Sequence, residues 1–141
     1  MKRTPNRWSE HHGKDNFIEE YPEFSMVSLL KQTAEKYPDL PAIEFQGRVT
    51  SFAKMIEQVE LVAASLKAYG INKGDYVSII APNTPQALIT IYAVNRIGAI
   101  ANMIHPLSAE KEIAFYLNDS KSVAAVTLDQ FYPKFEAIRD Q

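Results

Sequence analysis

Gly70 to His105 reads as strand, helix, strand, and no other stretch restricts the fold so much. Val77, Ile79 and Ile80 make a short β-rich run. Asn83 or Thr84 can cap a following helix, Pro85 suits its first turn, and Ala87 to Ile97 is apolar nearly all round. A helix of that character must be covered on more than one side. Gly98 stops it, and Ala99 to Ile104 gives a second apolar run. The economical arrangement is a parallel strand pair joined by a right-handed crossover helix. The fold class is therefore α/β: a layered, mainly parallel sheet flanked by helices.

The rest of the chain can be built onto this unit. Residues 1–24 are polar with isolated aromatics (Trp8, Phe17, Tyr21, Phe24) and are expected to form an extended arm; residues 25–141 form the α/β subdomain. Met26, Leu29, Leu30, Thr33, Ala34 and Tyr37 lie on one helical stripe, which Ser25 or Ser28 can cap and Pro38 ends. Gln46-Gly47 between Ala42 to Phe45 and Arg48 to Thr50 predicts a β-hairpin preceding the sheet. Phe52, Met55, Ile56, Val59, Val62, Ala63, Leu66 and Tyr69 then mark an amphipathic helix that Gly70 terminates. Beyond the central unit, Ser108 is expected to cap a helix to Asn118 with Ile113, Ala114, Tyr116 and Leu117 inward. Val123 to Thr127 is a third strand. Asp129 opens a last helix with Phe131, Phe135 and Ile138 on one face, and this helix has no stop signal before Gln141.

Charge and composition exclude several functions. A formal net charge of -2 without clustered Lys or Arg argues against nucleic acid. The absence of cysteine removes disulfides, thiolate metal sites and a cysteine nucleophile, and fits a cytoplasmic location. No apolar run approaches the roughly 18 residues of a membrane span, and the acidic residues near the start do not suit a targeting peptide. His11 and His12 have no third ligand nearby, so no metal site is expected. Asp75, Asp119 and Asp129 sit where turns or helix ends explain them. Tyr69, Tyr76, Tyr92 and Tyr116 read as core rings with a hydroxyl at the edge, because no basic residues interleave them.

The order of short motifs carries a resemblance. Gly70-Ile71-Asn72-Lys73-Gly74-Asp75-Tyr76-Val77, Pro82-Asn83-Thr84-Pro85, Arg96-Ile97-Gly98-Ala99, Pro106-Leu107-Ser108 and Asn118-Asp119-Ser120 follow one another as in the AMP-forming acyl-CoA synthetases. The chain resembles the amino-terminal subdomain of these adenylate-forming ligases from about Ser28 to its last residue. The resemblance implies a parent that activates a fatty acid, long-chain or medium-chain, with ATP and Mg2+ and then passes the acyl group to coenzyme A. One departure concerns stability: the family opens the second helix with Ser or Thr followed three residues later by Glu, whereas Ser51 is followed by Lys54. Ser51 must then cap alone.

The chemistry named in the family lies beyond Gln141, so no catalytic residue and no metal ligand is assigned here. A phosphate cradle needs neighbouring glycines; Gly13, Gly47, Gly70, Gly74 and Gly98 are scattered, and Gly70 and Gly74 have local explanations. The resemblance points to one turn as coenzyme-binding, His105-Pro106, at the carboxyl end of the second strand of the unit. Acetyl-type relatives carry two glycines there. Pro106 has no N–H and restricts His105, which weakens any backbone contact with an anion.

Three readings follow. In the first, the chain is the scaffold portion of an acyl-CoA ligase, inactive alone, binding no cofactor by itself, and partnered by the remainder of its own polypeptide and a small carboxylic acid. In the second it is a self-standing α/β nucleotide- or CoA-binding module; in the third, a non-catalytic interaction module. Motif order favours the first, with an unfinished sheet edge as its structural signature.

Overall fold

The computed structural model describes residues 23–139. The expected arm and the His11-His12 pair therefore lie almost wholly outside the described residues, of which Phe24 is one.

Helix α1 (Met26–Lys36) begins at Ser25, whose hydroxyl accepts the Ser28 N–H at 3.1 Å. Its buried residues are Val27, Leu30 and Ala34. Met26, Leu29 and Tyr37 are instead about half exposed, so the expected stripe is rotated by one position. Both stripes share Leu30 and Ala34. A contact far along the chain chooses between them: Asn95 Oδ1 accepts the Val27 N–H at 3.1 Å. That N–H is a first-turn donor with no intrahelical partner. Asn95→Ala is expected to cost about 1 kcal/mol, read as a lowered urea midpoint.

Strands β1 (Pro41–Phe45) and β2 (Arg48–Ser51) form the antiparallel hairpin. Gln46 (φ 50°) and Gly47 (φ 74°) both adopt the left-handed conformation that a two-residue hairpin turn demands. Ser51 Oγ then accepts the Lys54 N–H at 3.3 Å and opens helix α2 (Phe52–Ala68) without a reciprocal carboxylate. Lys54 turns outward to an ion pair with Glu57. Met55, Val59, Ala63 and Leu66 face inward, but Tyr69, at 87% exposure, does not.

Strand β3 (Tyr76–Ile80), helix α3 (Pro85–Arg96) and strand β4 (Ile100–Met103) realise the expected unit, with Thr84 as the cap of α3. Helix α4 (Glu110–Ser120), strand β5 (Ala124–Thr127), a 3-10 turn (Asp129–Phe131) and helix α5 (Tyr132–Ala137) follow. The last helix thus starts three residues later than Asp129. Ser108 does not cap α4. The cap position belongs to Ala109, whose N–H is taken by Glu112 Oε2 at 2.9 Å, so a first-turn carboxylate replaces the hydroxyl.

The parallel sheet has the order β4-β3-β5, with Ser78 opposite Asn102 on one side and Ala125 on the other. Its middle strand is buried on both faces, as central parallel strands are. Val77 and Ile79 point to a core shared with α1, α2 and α3. Ile80 points the other way, to Ile104, Ile113, Ala114 and Ile138, with Leu117 and Phe135 against them. On the same face as Ile80, Ser78, Asn102, Ser120 and Ser122 hydrogen-bond one another, so the buried Ser78 hydroxyl is satisfied.

The tyrosine expectation holds for Tyr92, which packs against the main core, and fails for the other three. Tyr69, Tyr76 and Tyr116 are exposed and Tyr92 is half-buried, because short side chains already fill the layers between helix and sheet. Among the described residues, β4 and β5 each pair on one side only, and Ile100, Met103 and Val123 are exposed. Among the described residues no helix is long and apolar enough to cross a membrane.

Candidate functional site

The sheet order sets where a ligand can enter. From β3 the chain goes to a neighbour on one side, β4, and then returns to the other side as β5. Loops leaving the carboxyl ends of β3 and β5 consequently diverge and leave a crevice, the usual ligand position in open parallel sheets. A cleft of about 560 Å³ lies at this end. Ala81, Pro82 and Asn83 line it after β3, His105 to Leu107 after β4, and Gln130 and Phe131 after β5. A neighbouring groove of about 340 Å³ runs between the hairpin residues Ile43 and Phe45 and the α3 residues Leu88 and Ile91. Ala81, Asn83 and Met103 border both.

His105 and Pro106, the two residues singled out in the sequence, thus stand on the wall of the cleft. Their chemistry is restricted by the turn. His105 is exposed and Pro106 is buried. His105 Nδ1 accepts the Leu107 N–H at 3.2 Å, and His105 O accepts the Ser108 N–H at 3.0 Å. Because Pro106 has no N–H, every amide from 106 to 108 is absent or already used within the turn. The turn cannot cradle a phosphate through its backbone. It can offer His105 Nε2, the Leu107 side chain at 72% exposure, and a smooth wall.

Gly74 and Gly98 lie elsewhere. Gly74 N–H donates to Gly98 O at 2.9 Å, and both residues precede the strands they lead into, at the sheet end opposite the cleft. They close turns and do not surround a ligand. The carboxylates are likewise engaged: Asp75 Oδ2 accepts the Asn72 N–H at 2.7 Å and Asp129 Oδ1 accepts the Gln130 N–H at 2.8 Å. Among the described residues no three His, Cys, Asp or Glu side chains gather in a way that could hold a metal ion. These residues do not fit a triphosphate or a magnesium ion.

Sequence reading missed two contributors. Asn95 reads as a polar interruption in an apolar helix, yet it caps α1. Lys134 reads as a solvated charge on a short helix, yet its ammonium bonds carbonyls of the cleft turn. Neither has a signal in a single sequence, since both partners are distant along the chain.

The family model for AMP-binding enzymes matches residues 30–141. The chain belongs to this family. The long-chain-fatty-acid–CoA ligase of Bacillus subtilis (strain 168) is 34% identical over 113 residues, which are 80% of this chain and 20% of that ligase. A fatty acyl CoA synthetase of Mycobacterium tuberculosis superposes with a TM-score of 0.79 at 30% identity, covering 83% of this chain and 24% of the synthetase. The inhibitor-bound N-terminal domain of FACL13 from the same organism gives 0.79 and 30%, covering 83% of this chain and 30% of that domain. The chain thus spans about a fifth of the length of the curated ligase, and the part it matches is the amino-terminal region of the family's domain.

Proposed function

We propose that this chain is the amino-terminal scaffold portion of an ATP-dependent, AMP-forming fatty acid–CoA ligase. The carrying observation is the 34% identity to a long-chain-fatty-acid–CoA ligase across 80% of the chain. The whole polypeptide would join a fatty acid to ATP, forming an acyl-adenylate and pyrophosphate, and then transfer the acyl group to the thiol of coenzyme A. ATP, Mg2+ and coenzyme A belong to that whole protein. A cytoplasmic setting is part of the proposal and rests on the lack of cysteine.

The contribution of these 141 residues is positional. The sheet gives a rigid floor, and the loops at its carboxyl ends give one wall. His105-Pro106 is proposed as the coenzyme-side turn, touching an uncharged part of the coenzyme, because its amides are not free for phosphate. The expected results are ATP–pyrophosphate exchange by the polypeptide of the uninterrupted reading frame with a fatty acid, and none by residues 1–141 alone. Exchange by the 141-residue chain, or a longer product inert with every fatty acid and coenzyme A, would overturn the assignment.

A further inference from the structure

We infer that Lys134 is a positioning residue for the turn from His105 to Ser108. The inference deepens the coenzyme-side reading of that turn and rests on it. Lys134 Nζ donates to Ser108 O at 2.7 Å and to Pro106 O at 3.2 Å. Both partners are neutral carbonyls. Among the described residues the ion pairs involve Lys31, Lys54 and Arg96, whereas this half-buried ammonium makes none. It is held as a cation chelated by backbone oxygens, a use suited to the three donors of an ammonium.

The turn needs an external hold. Its amides are bonded inside it or missing at Pro106, and Leu107 is exposed. Among the described residues, no other hydrogen bond reaches residues 106 to 108 from another element. Lys134 itself stands on a fixed base, because Phe135 and Ile138 pack its helix against Ile80, Ile104 and Ile113. The side chain therefore ties the loop after β4 to the helix after β5 across the crevice. It does not line the cleft. It acts on a ligand only through the place it gives His105 and Leu107.

The test compares Lys134→Met and Lys134→Arg in the full ligase polypeptide. Loss of the two charge-assisted bonds should speed hydrogen exchange at the Leu107 and Ser108 amides about tenfold, and Arg should restore most of the protection. The KM for coenzyme A should rise about tenfold in the Met variant while ATP–pyrophosphate exchange keeps its rate. Unchanged amide exchange in Lys134→Met would overturn the positioning role. Faster exchange with an unchanged KM would uphold that role and overturn the coenzyme-side reading. Should the Met variant not fold, acetic anhydride labelling of the unaltered protein decides. Lys134 should react about tenfold more slowly than the exposed Lys111, and equal rates would overturn the role.

Discussion

Ile79→Ala is expected to lower the unfolding free energy by about 3 kcal/mol. Ile79 is fully buried in the middle strand of the sheet and faces the core that α1, α2 and α3 share. Backbone pairing holds the strand from both sides, with Ile79 opposite Met103 and Val126, so the sheet cannot close over the missing atoms. The cost is then the lost transfer energy plus the cavity. Domains of this size have about 5–15 kcal/mol in all, which makes the loss a large part of the total. Urea titration should show a lower midpoint at unchanged slope. Leu61→Ala is the control: Leu61 is 69% exposed and should change stability by no more than about 0.5 kcal/mol. Equal effects at the two sites would mean that Ile79 is not the centre of a packed core.

Gly98→Ala is expected to cost about 2 kcal/mol, more than the same change at Gly74. Both glycines have a positive φ, 75° and 89°, so either alanine is strained by backbone conformation. The sites differ in space. A Cβ on Gly98 would lie 3.0 Å from Lys73 Cγ, whereas one on Gly74 meets nothing within 4 Å. Gly98 also completes the end of α3: its N–H donates to Asn95 O at 3.0 Å and the next N–H, of Ala99, to Val94 O at 3.1 Å. This paired arrangement turns the chain from α3 into β4. Gly74→Ala should cost about 1 kcal/mol, and thermal melts of the two variants provide the comparison. Identical shifts would show that the Lys73 contact yields freely and that only φ matters.

The local signals were legible where their cause is local. Gly70 ends α2 with φ 88°, and its N–H and that of Ile71 reach back to Lys67 O and Leu66 O. The same double bond ends α4 at Lys121 and Ser122, but there a lysine takes the left-handed position with φ 54°, which no glycine rule would find. Ser51 caps alone, as the missing Glu required. Errors arose where a second element chooses between near-equal local options. Met26 and Leu29 lost to Val27 because α3 holds the start of α1 by Asn95. Tyr116 fell outside the core because Ile113 and Ala114 already fill the contact with the sheet.

The site divided in the same way. Apolar runs put His105-Pro106 at the carboxyl end of a strand, but only the family resemblance singled that turn out as coenzyme-side. That Gln130 and Phe131 would face it across the crevice depends on β5 lying beside β3 and not beside β4. Order within a sheet is a non-local choice that short runs of Val, Ile and Ala leave open.

The sequence by itself determined the α/β class, the succession of elements, most helix ends and the family, because periodicity, capping residues and motif order act over a few neighbouring positions. Only the tertiary structure decided the strand order, the roll of α1, the Ser78-Asn102 network and the Lys134 clamp. Those depend on groups brought together from 24 to 68 positions apart. Hydrogen bonds and packing across such separations form only when the whole chain has collapsed, and they leave no periodic trace along it.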